Sequence, residues 1–278
     1  MRKLREYLNK PLSFAVFLLI IISTVITALT VVFIIGYIFI KGVPNLSLDL
    51  FSLKYSSSNQ SILPSIINTV YLTVLTLLLA VPIGIFSAIY LAEYSRENSF
   101  FVKIINIANE TLSGIPSIVY GLFGFLAFVI SKKWGYSLLA GVITLAIMVL
   151  PLIIRTSQEA MLGVDNTFRE ASYGLGAGKL RTVFKIVLPS AMPGILSGII
   201  LAIGRIVGET AALIYTAGTV PEAATKLTSS SRTISVHLYC LLNEGLYTEQ
   251  AYATAVVLIV FVVIINALSN ALAKKIMK

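Results

Sequence analysis

Six stretches of this chain carry no Asp, Glu, Lys or Arg: 11–40, 55–92, 111–131, 134–154, 186–204 and 250–273. Each supplies roughly the 20 apolar residues that a helix needs to cross a ~30 Å hydrocarbon layer. Charged residues make up 12% of the 278 residues, against about 25% in an ordinary soluble domain. A mean hydropathy of +0.93 excludes a water-soluble globule. In hydrocarbon every backbone N–H and C=O must be satisfied within the segment or its neighbours, so runs of this length are helices. The chain is a polytopic helical membrane protein.

Other bulk features close off whole classes of chemistry. One cysteine, Cys240, makes no internal disulfide, and one histidine, His237, makes no multi-histidine metal site. Neither residue is given a role. The first apolar run spans 11–40, far beyond the 7–15 residues of a cleavable signal's apolar region. It reads as a retained first span. The formal charge of +9 is compatible with nucleic acid, but the basic residues cluster beside apolar runs. That placement fits the positive-inside rule, and no nucleic-acid partner is expected.

Spans are expected near 12–40, 64–92, 111–131, 137–157, 191–217 and 250–273. Six crossings put both termini on one side. Taking that side as the cytoplasm, 14 Lys and Arg residues fall inside and 6 outside. Lys132 and Lys133 depart from the pattern and lie close enough to a span end to snorkel. No loop is long enough for a catalytic domain, so an energy source must come from other chains unless the protein is a passive channel.

The widest inner loop holds NTFREASYGLGAGKLRTVFKIVLP, Asn166 to Pro189. Thr167 and Glu170 have capping-box spacing at a helix start. Gly176 and Gly178 stop or turn that helix. A second amphipathic stretch carries Leu180, Val183, Phe184 and Val187 on one face, and Pro189 ends it before the fifth span. Two helices this short are unstable alone in water and need a partner surface. Packing on the chain's own bundle and docking to another chain both meet that need.

Glu170-Ala171-Ser172, then Gly176, then Ile186, Leu188 and Pro189 resemble the EAA loop of ATP-binding cassette (ABC) importer permeases at every spacing. Ser172 for the second alanine is the one departure. Three further stretches, Gly114–Phe125, the RTSQEAML that follows Ile154, and Leu201–Gly218, resemble the permeases of the phosphate-specific transport system, and Gly208–Ala212 is more similar to their A-type subunit. The resemblance covers about residues 61–273. It implies an all-α integral membrane protein, six transmembrane helices with a cytoplasmic coupling helix, in the type I ABC importer permease fold. It divides the chain into an N-terminal helix and outer loop (1–60), a transporter core (61–273) with a coupling loop (165–190), and a cytoplasmic tail (274–278). The implied function is the permease subunit of an inorganic phosphate importer in a bacterial or archaeal cell membrane. The implied partners are a homologous C-type permease, two ATPase subunits that carry ATP and Mg, and an extracytoplasmic phosphate-binding protein. The chain itself binds no cofactor and catalyses nothing.

Within the fifth span, Arg205 and Glu209 are four residues apart and are expected on one helix face. Charges at membrane depth face a cavity or each other. A guanidinium there fits two phosphate oxygens at once, and a carboxylate accepts from a phosphate hydroxyl that sulfate lacks. A self-neutralising structural pair fits the same residues. Gly194 with Gly198 and Gly204 with Gly208 are small-xxx-small pairs that admit a neighbouring helix. Pro116 weakens the third span and frees backbone carbonyls that need partners. Arg155 follows the apolar part of span four as an inner anchor; the resemblance associates it with transport. The outer loop with Tyr239, Leu241, Leu242 and Leu246 is expected to hold a short amphipathic helix. A permease for another oxyanion or solute, or a stand-alone carrier or channel, remains a rival reading. Reporter fusions, or labelling of single cysteines introduced at these positions, should place Lys10, Lys179 and Lys278 on the cytoplasmic side and Lys54 and Lys226 outside. An external Lys179 would remove the coupling-loop reading.

Overall fold

The computed structural model describes residues 11–95 and 99–276. Among the charges assigned to the inner side, Arg2, Lys3, Arg5, Lys10, Arg96 and Lys278 lie outside the described residues. The elements are α1 (Pro11–Gly42), α2 (Leu63–Tyr94), α3 (Phe100–Gly114), α4 (Ser117–Ser131), α5 (Leu138–Leu162), α6 (Asn166–Gly174), α7 (Lys179–Gly208), α8 (Ala211–Thr216), α9 (Ile234–Glu244) and α10 (Thr248–Ile276). Five of them, α1, α2, α5, α7 and α10, are long and apolar enough to span a membrane alone. The third span expected from sequence, 111–131, falls on a bent pair: α3 and α4 meet at 102° across Ile115 and Pro116. The residue before a proline avoids helical dihedrals, and Ile115 is extended at φ −71°, ψ 130°. The Tyr120 hydroxyl donates to the Leu112 carbonyl (2.8 Å), which satisfies one acceptor at the end of α3.

One further expectation needs correction. Pro189 does not end a helix, because α7 runs without interruption from the coupling loop into the membrane. A π-helical turn at Val183–Val187 immediately precedes it and absorbs the local mismatch left by the missing proline N–H. Of the expected tail 274–278, residues 277–278 lie outside the described residues, and Lys274 and Lys275 form the last turn of α10, where cations suit the carbonyl end of a helix.

The core is built from α2, α5 and α7. Leu72, Leu145, Met148, Val149, Ile153, Ala202 and Ile206 form one buried cluster, joined by Ala212 and Leu213 of α8. A second cluster nearer the coupling loop combines Ala88, Ile89, Met161, Val183, Val187, Ala191 and Ile195. The two glycine pairs of α7 do different things. Gly194 and Gly198 pack on Ala160 and Thr156 of α5, and a Cβ on Gly194 would come within 2.6 Å of the Ala160 Cβ. Around Gly204 and Gly208 a Cβ would meet nothing within 4 Å, so that face is open within this chain. Helix α1 packs along α10, with Tyr37 edge-on to Tyr252 at 5.9 Å between ring centroids.

Arg169 of α6 ties three elements together. Its Nη2 and Nε donate to Glu93 Oε1 at the end of α2 (2.6 and 3.1 Å). Its Nη2 also donates to the Met161 carbonyl and its Nη1 to the Val164 carbonyl, where α5 stops (2.8 and 2.7 Å). The side chains of Arg169 and Glu93 are 13% and 6% exposed, so this is a buried pair. Removing one partner of such a pair leaves a desolvated charge and costs about 3–5 kcal/mol. Arg169→Met and Glu93→Leu should each lower the unfolding temperature of the purified complex, and combining them should recover part of the loss. A double variant less stable than either single one would show that the pair does not act as a unit.

Candidate functional site: coupling loop and intramembrane cleft

The coupling loop begins differently from the capping box expected at Thr167 and Glu170. Helix α6 starts two residues earlier, and Asp165 is its cap: Asp165 Oδ1 accepts from the Thr167 N–H (2.9 Å) and hydroxyl (2.6 Å). These two hydrogen bonds hold the Asp165 carboxyl below the usual carboxylate range. Thr167 therefore serves as donor to the cap rather than as the cap itself. Glu170 and Ala171 are exposed. Gly176 closes α6 at φ +79°, a left-handed conformation that glycine adopts without the Cβ penalty. Open space surrounds it, so its requirement is backbone conformation and not packing within the chain.

Ser172, the departure from the alanine pattern, has a use that small size alone does not reveal. Its hydroxyl hydrogen-bonds that of Thr182 on α7 at 2.8 Å, buried between the two short helices. Lys179 lies over the Tyr94 ring, 5.0 Å from its centroid, and makes a second link to the end of α2. So held, the loop presents Phe168, Tyr173, Leu175, Leu180 and Phe184 to solvent, with Leu175 90% exposed. A cleft of about 550 Å³ beside them is lined by Leu175, Gly176, Arg181, Lys185 and Ile186. Leu188 is partly buried and Pro189 exposed at the start of the membrane part of α7. An apolar patch with a basic rim, on helices fixed from behind, is the chemistry of a docking surface.

The intramembrane residues separate. Helix α7 ends at Gly208, and Glu209 is extended at φ −71°, ψ 130°. Arg205 and Glu209 therefore do not share a helix face, and they form no ion pair. Glu209 is buried and turned toward α8, where its Oε1 accepts from the Ala212 N–H (3.0 Å); its carbonyl accepts from the Ser235 hydroxyl (2.6 Å). The carboxylate caps the next helix, and that local bond outcompetes continuation of α7. The self-neutralising pair is thereby excluded for this conformation.

Arg205 instead lines a cleft of about 670 Å³ with Ser197, Gly204, Asn266 and Asn270, walled by Leu152, Ile200 and Leu201. Among the described residues it has neither a hydrogen bond nor an ion pair. Asn266 and Asn270 were missed in the sequence because neutral amides do not interrupt a charge-free run. Their spacing, one turn apart on α10, is the signal that could have found them. Arg155 lies elsewhere. Its Nε donates to Glu159 Oε1 on its own helix (2.9 Å), with both side chains more than half exposed. It shares a separate cleft of about 210 Å³ with Asn106, Asn109, Glu110 and Gln158. Among the described residues no cluster of His, Cys, Asp and Glu could hold a metal.

The profile of the family described as "Binding-protein-dependent transport system inner membrane component" matches residues 80–278. The chain is 32% identical over 249 residues to the probable ABC transporter permease protein YqgI of Bacillus subtilis, covering 83% of this chain and 84% of that protein. It is 35% identical to the phosphate transport system permease proteins PstA of Pasteurella multocida, covering 81% of each chain, and of Haemophilus influenzae, covering 78% of this chain and 77% of that protein. The fold is that of solved ABC importers. A bacterial transporter of the acidic polysaccharide alginate aligns over the whole of both chains with a TM-score of 0.68 at 18% identity. The inward-facing methionine transporter MetNI aligns over 78% of this chain and 94% of that one, with a TM-score of 0.59 at 16% identity. A stand-alone carrier or channel is thereby set aside, and the chain belongs to the binding-protein-dependent transport permeases of ABC importers, in their PstA-like branch.

Proposed function

We propose that this chain is the A-type permease subunit of an ATP-driven inorganic phosphate importer, and that Arg205 meets the substrate. The observation that carries the reading is an unpaired guanidinium in an intramembrane cleft, flanked by two amides from α10. The names of its PstA relatives support phosphate as the cargo. A guanidinium offers a planar fork that fits two phosphate oxygens. Asn266 and Asn270 can each donate to an oxygen and accept from a phosphate hydroxyl, without the repulsion a carboxylate would exert on a dianion. The acceptor role expected of Glu209 thus passes to these amides, and Arg155 is left as a contact on a neighbouring part of the path.

The open face at Gly204 and Gly208 suits a homologous C-type permease or the path between the two. Two ATPase subunits, carrying ATP and Mg, would seat the apolar patch of the coupling loop on the cytoplasmic side. An extracytoplasmic phosphate-binding protein would deliver substrate to the opposite face. Both termini are then cytoplasmic. The chain performs no catalysis: closure of the ATPase pair moves α6, and α6 moves α2 and α5 through Arg169.

Arg205→Lys keeps the charge and loses the fork. In a complex with normal membrane level and normal ATPase retention, it should lower phosphate uptake by about tenfold or more, the equivalent of ~1.4 kcal/mol. Asn266→Leu with Asn270→Leu should give a loss of similar size. Glu209→Gln should instead reduce the amount of assembled complex, because it weakens the cap on α8. Unchanged uptake by Arg205→Lys would overturn the site, and wild-type uptake of another oxyanion in place of phosphate would change the cargo.

A further inference from the structure

Arg232 lies two residues before α9, in the loop opposite the coupling end of the bundle, and is 4% exposed. Its guanidinium lies over the Tyr55 ring at 4.7 Å from the centroid. Its Nε and Nη2 have no hydrogen-bond partner among the described residues. The ion pairs found among those residues are Arg155–Glu159 and Arg169–Glu93, so no carboxylate neutralises it. The surrounding groups do not supply the missing charge. Gln60 accepts from the Tyr55 hydroxyl through Oε1 (2.7 Å) and donates through Nε2 to the Ser57 carbonyl (3.0 Å). Cys240 lies within hydrogen-bond reach of the Arg232 guanidinium, but burial raises the pKa of its thiol, which keeps it uncharged.

His237 adds a donor and no negative charge. It is fully buried and meets the Tyr55 ring edge-on at 6.3 Å; the Gln60 backbone lies close enough to favour its protonated form, but neither ring nitrogen completes a hydrogen bond. Burial, then the charge of Arg232, push its pKa down to about 3, so the ring is neutral. The cluster therefore holds one buried positive charge and a surplus of N–H donors. A cation–π contact with one tyrosine offsets only part of the desolvation of a guanidinium. Its requirement is a compact acceptor with a single negative charge.

We propose that Arg232, with the N–H of His237, holds one small inorganic anion of the chloride or dihydrogen phosphate type, beneath the loop that carries Tyr55 and Gln60. The ion fixes residues 55–60 against the start of α9. The site is distinct from the Arg205 cleft, does not rest on the choice of transported substrate, and is tested without transport.

The purified complex is heated in gluconate, with chloride, or phosphate at mildly acidic pH, replacing gluconate at constant ionic strength. Unfolding around the site is read from maleimide labelling of Cys240, the single cysteine of the chain, in this chain's gel band. The wild type should show a saturable rise of several degrees, and the anion that saturates at lower concentration is the occupant. Arg232→Gln should abolish the dependence and be at least as stable as wild type in gluconate, because it removes an unneutralised charge. Should that variant fail to fold, anomalous scattering from bromide-soaked crystals of the wild type decides, with a peak expected beside Arg232. Equal stability in all three salts, an unchanged dependence in Arg232→Gln, or ordered water in place of bromide would overturn the site.

Discussion

The guanidinium of Arg169 is the point at which the coupling-loop end of the protein becomes one body. Its donors go to Glu93 on α2 and to carbonyls at the end of α5, while its own backbone belongs to α6. Each partner solves a problem of its own: Glu93 is a buried carboxylate that needs a cation, and the end of α5 is a set of acceptors that has run out of helix. A buried ion pair of this kind contributes little net stability against an apolar substitute, yet it fixes geometry closely because misplacement leaves charge unpaired. The π-helical turn at Tyr90–Tyr94 brings Glu93 and Tyr94 to that point, and Tyr94 receives Lys179 from the far side of the Gly176 turn. Both short helices of the coupling loop are thus attached to the same helix end.

Away from that end, the fold tolerates two interruptions of helix in its apolar segments, and both are satisfied from within. At Ile115–Pro116 the Tyr120 hydroxyl takes up the Leu112 carbonyl. At Glu209–Thr210 the carboxylate caps α8 and Ser235 donates to the Glu209 carbonyl. The interruptions are neighbours: α4 and α8 pack closely, and a Cβ on Gly121 would come within 2.8 Å of the Ala212 Cα. Irregular backbone in a membrane protein is found where it is enclosed by protein or lines a cavity. Here it ends α7 just beyond Arg205, which leaves the last turn of that helix, with Gly204 and Gly208, facing open space.

The spans were legible because a charge-free run is a property of composition, which the bilayer reads directly. The coupling loop was legible because Gly176 sits at a left-handed residue and the spacing to Pro189 is fixed by α6 and the first turns of α7. What the sequence concealed were choices between competing local bonds. Arg205 and Glu209 have the spacing of one helix face, but the same carboxylate can cap the following helix, and that outcome depends on Ser235, 26 residues away. Asn266 and Asn270 were hidden by their neutrality, and Arg169 by having the composition of an ordinary inner-side anchor. Ser172 looked like a conservative departure because its partner, Thr182, lies across the turn.

If Arg169 joins the coupling loop to the bundle, the loop and α2 must move together when ATP binds. Spin labels on Leu175→Cys and Phe86→Cys, in a Cys240→Ala background within the complete complex, report that distance by pulsed electron resonance. Both positions are exposed within the chain; Leu175 belongs to the proposed docking patch, so ATPase retention of the labelled complex is checked first. The distance within the chain should stay the same with and without ATP, while the distance from Leu175→Cys to a label on the partner permease changes. A change of the Leu175–Phe86 distance on adding ATP, in the protein with Arg169 intact, would contradict a rigid connection.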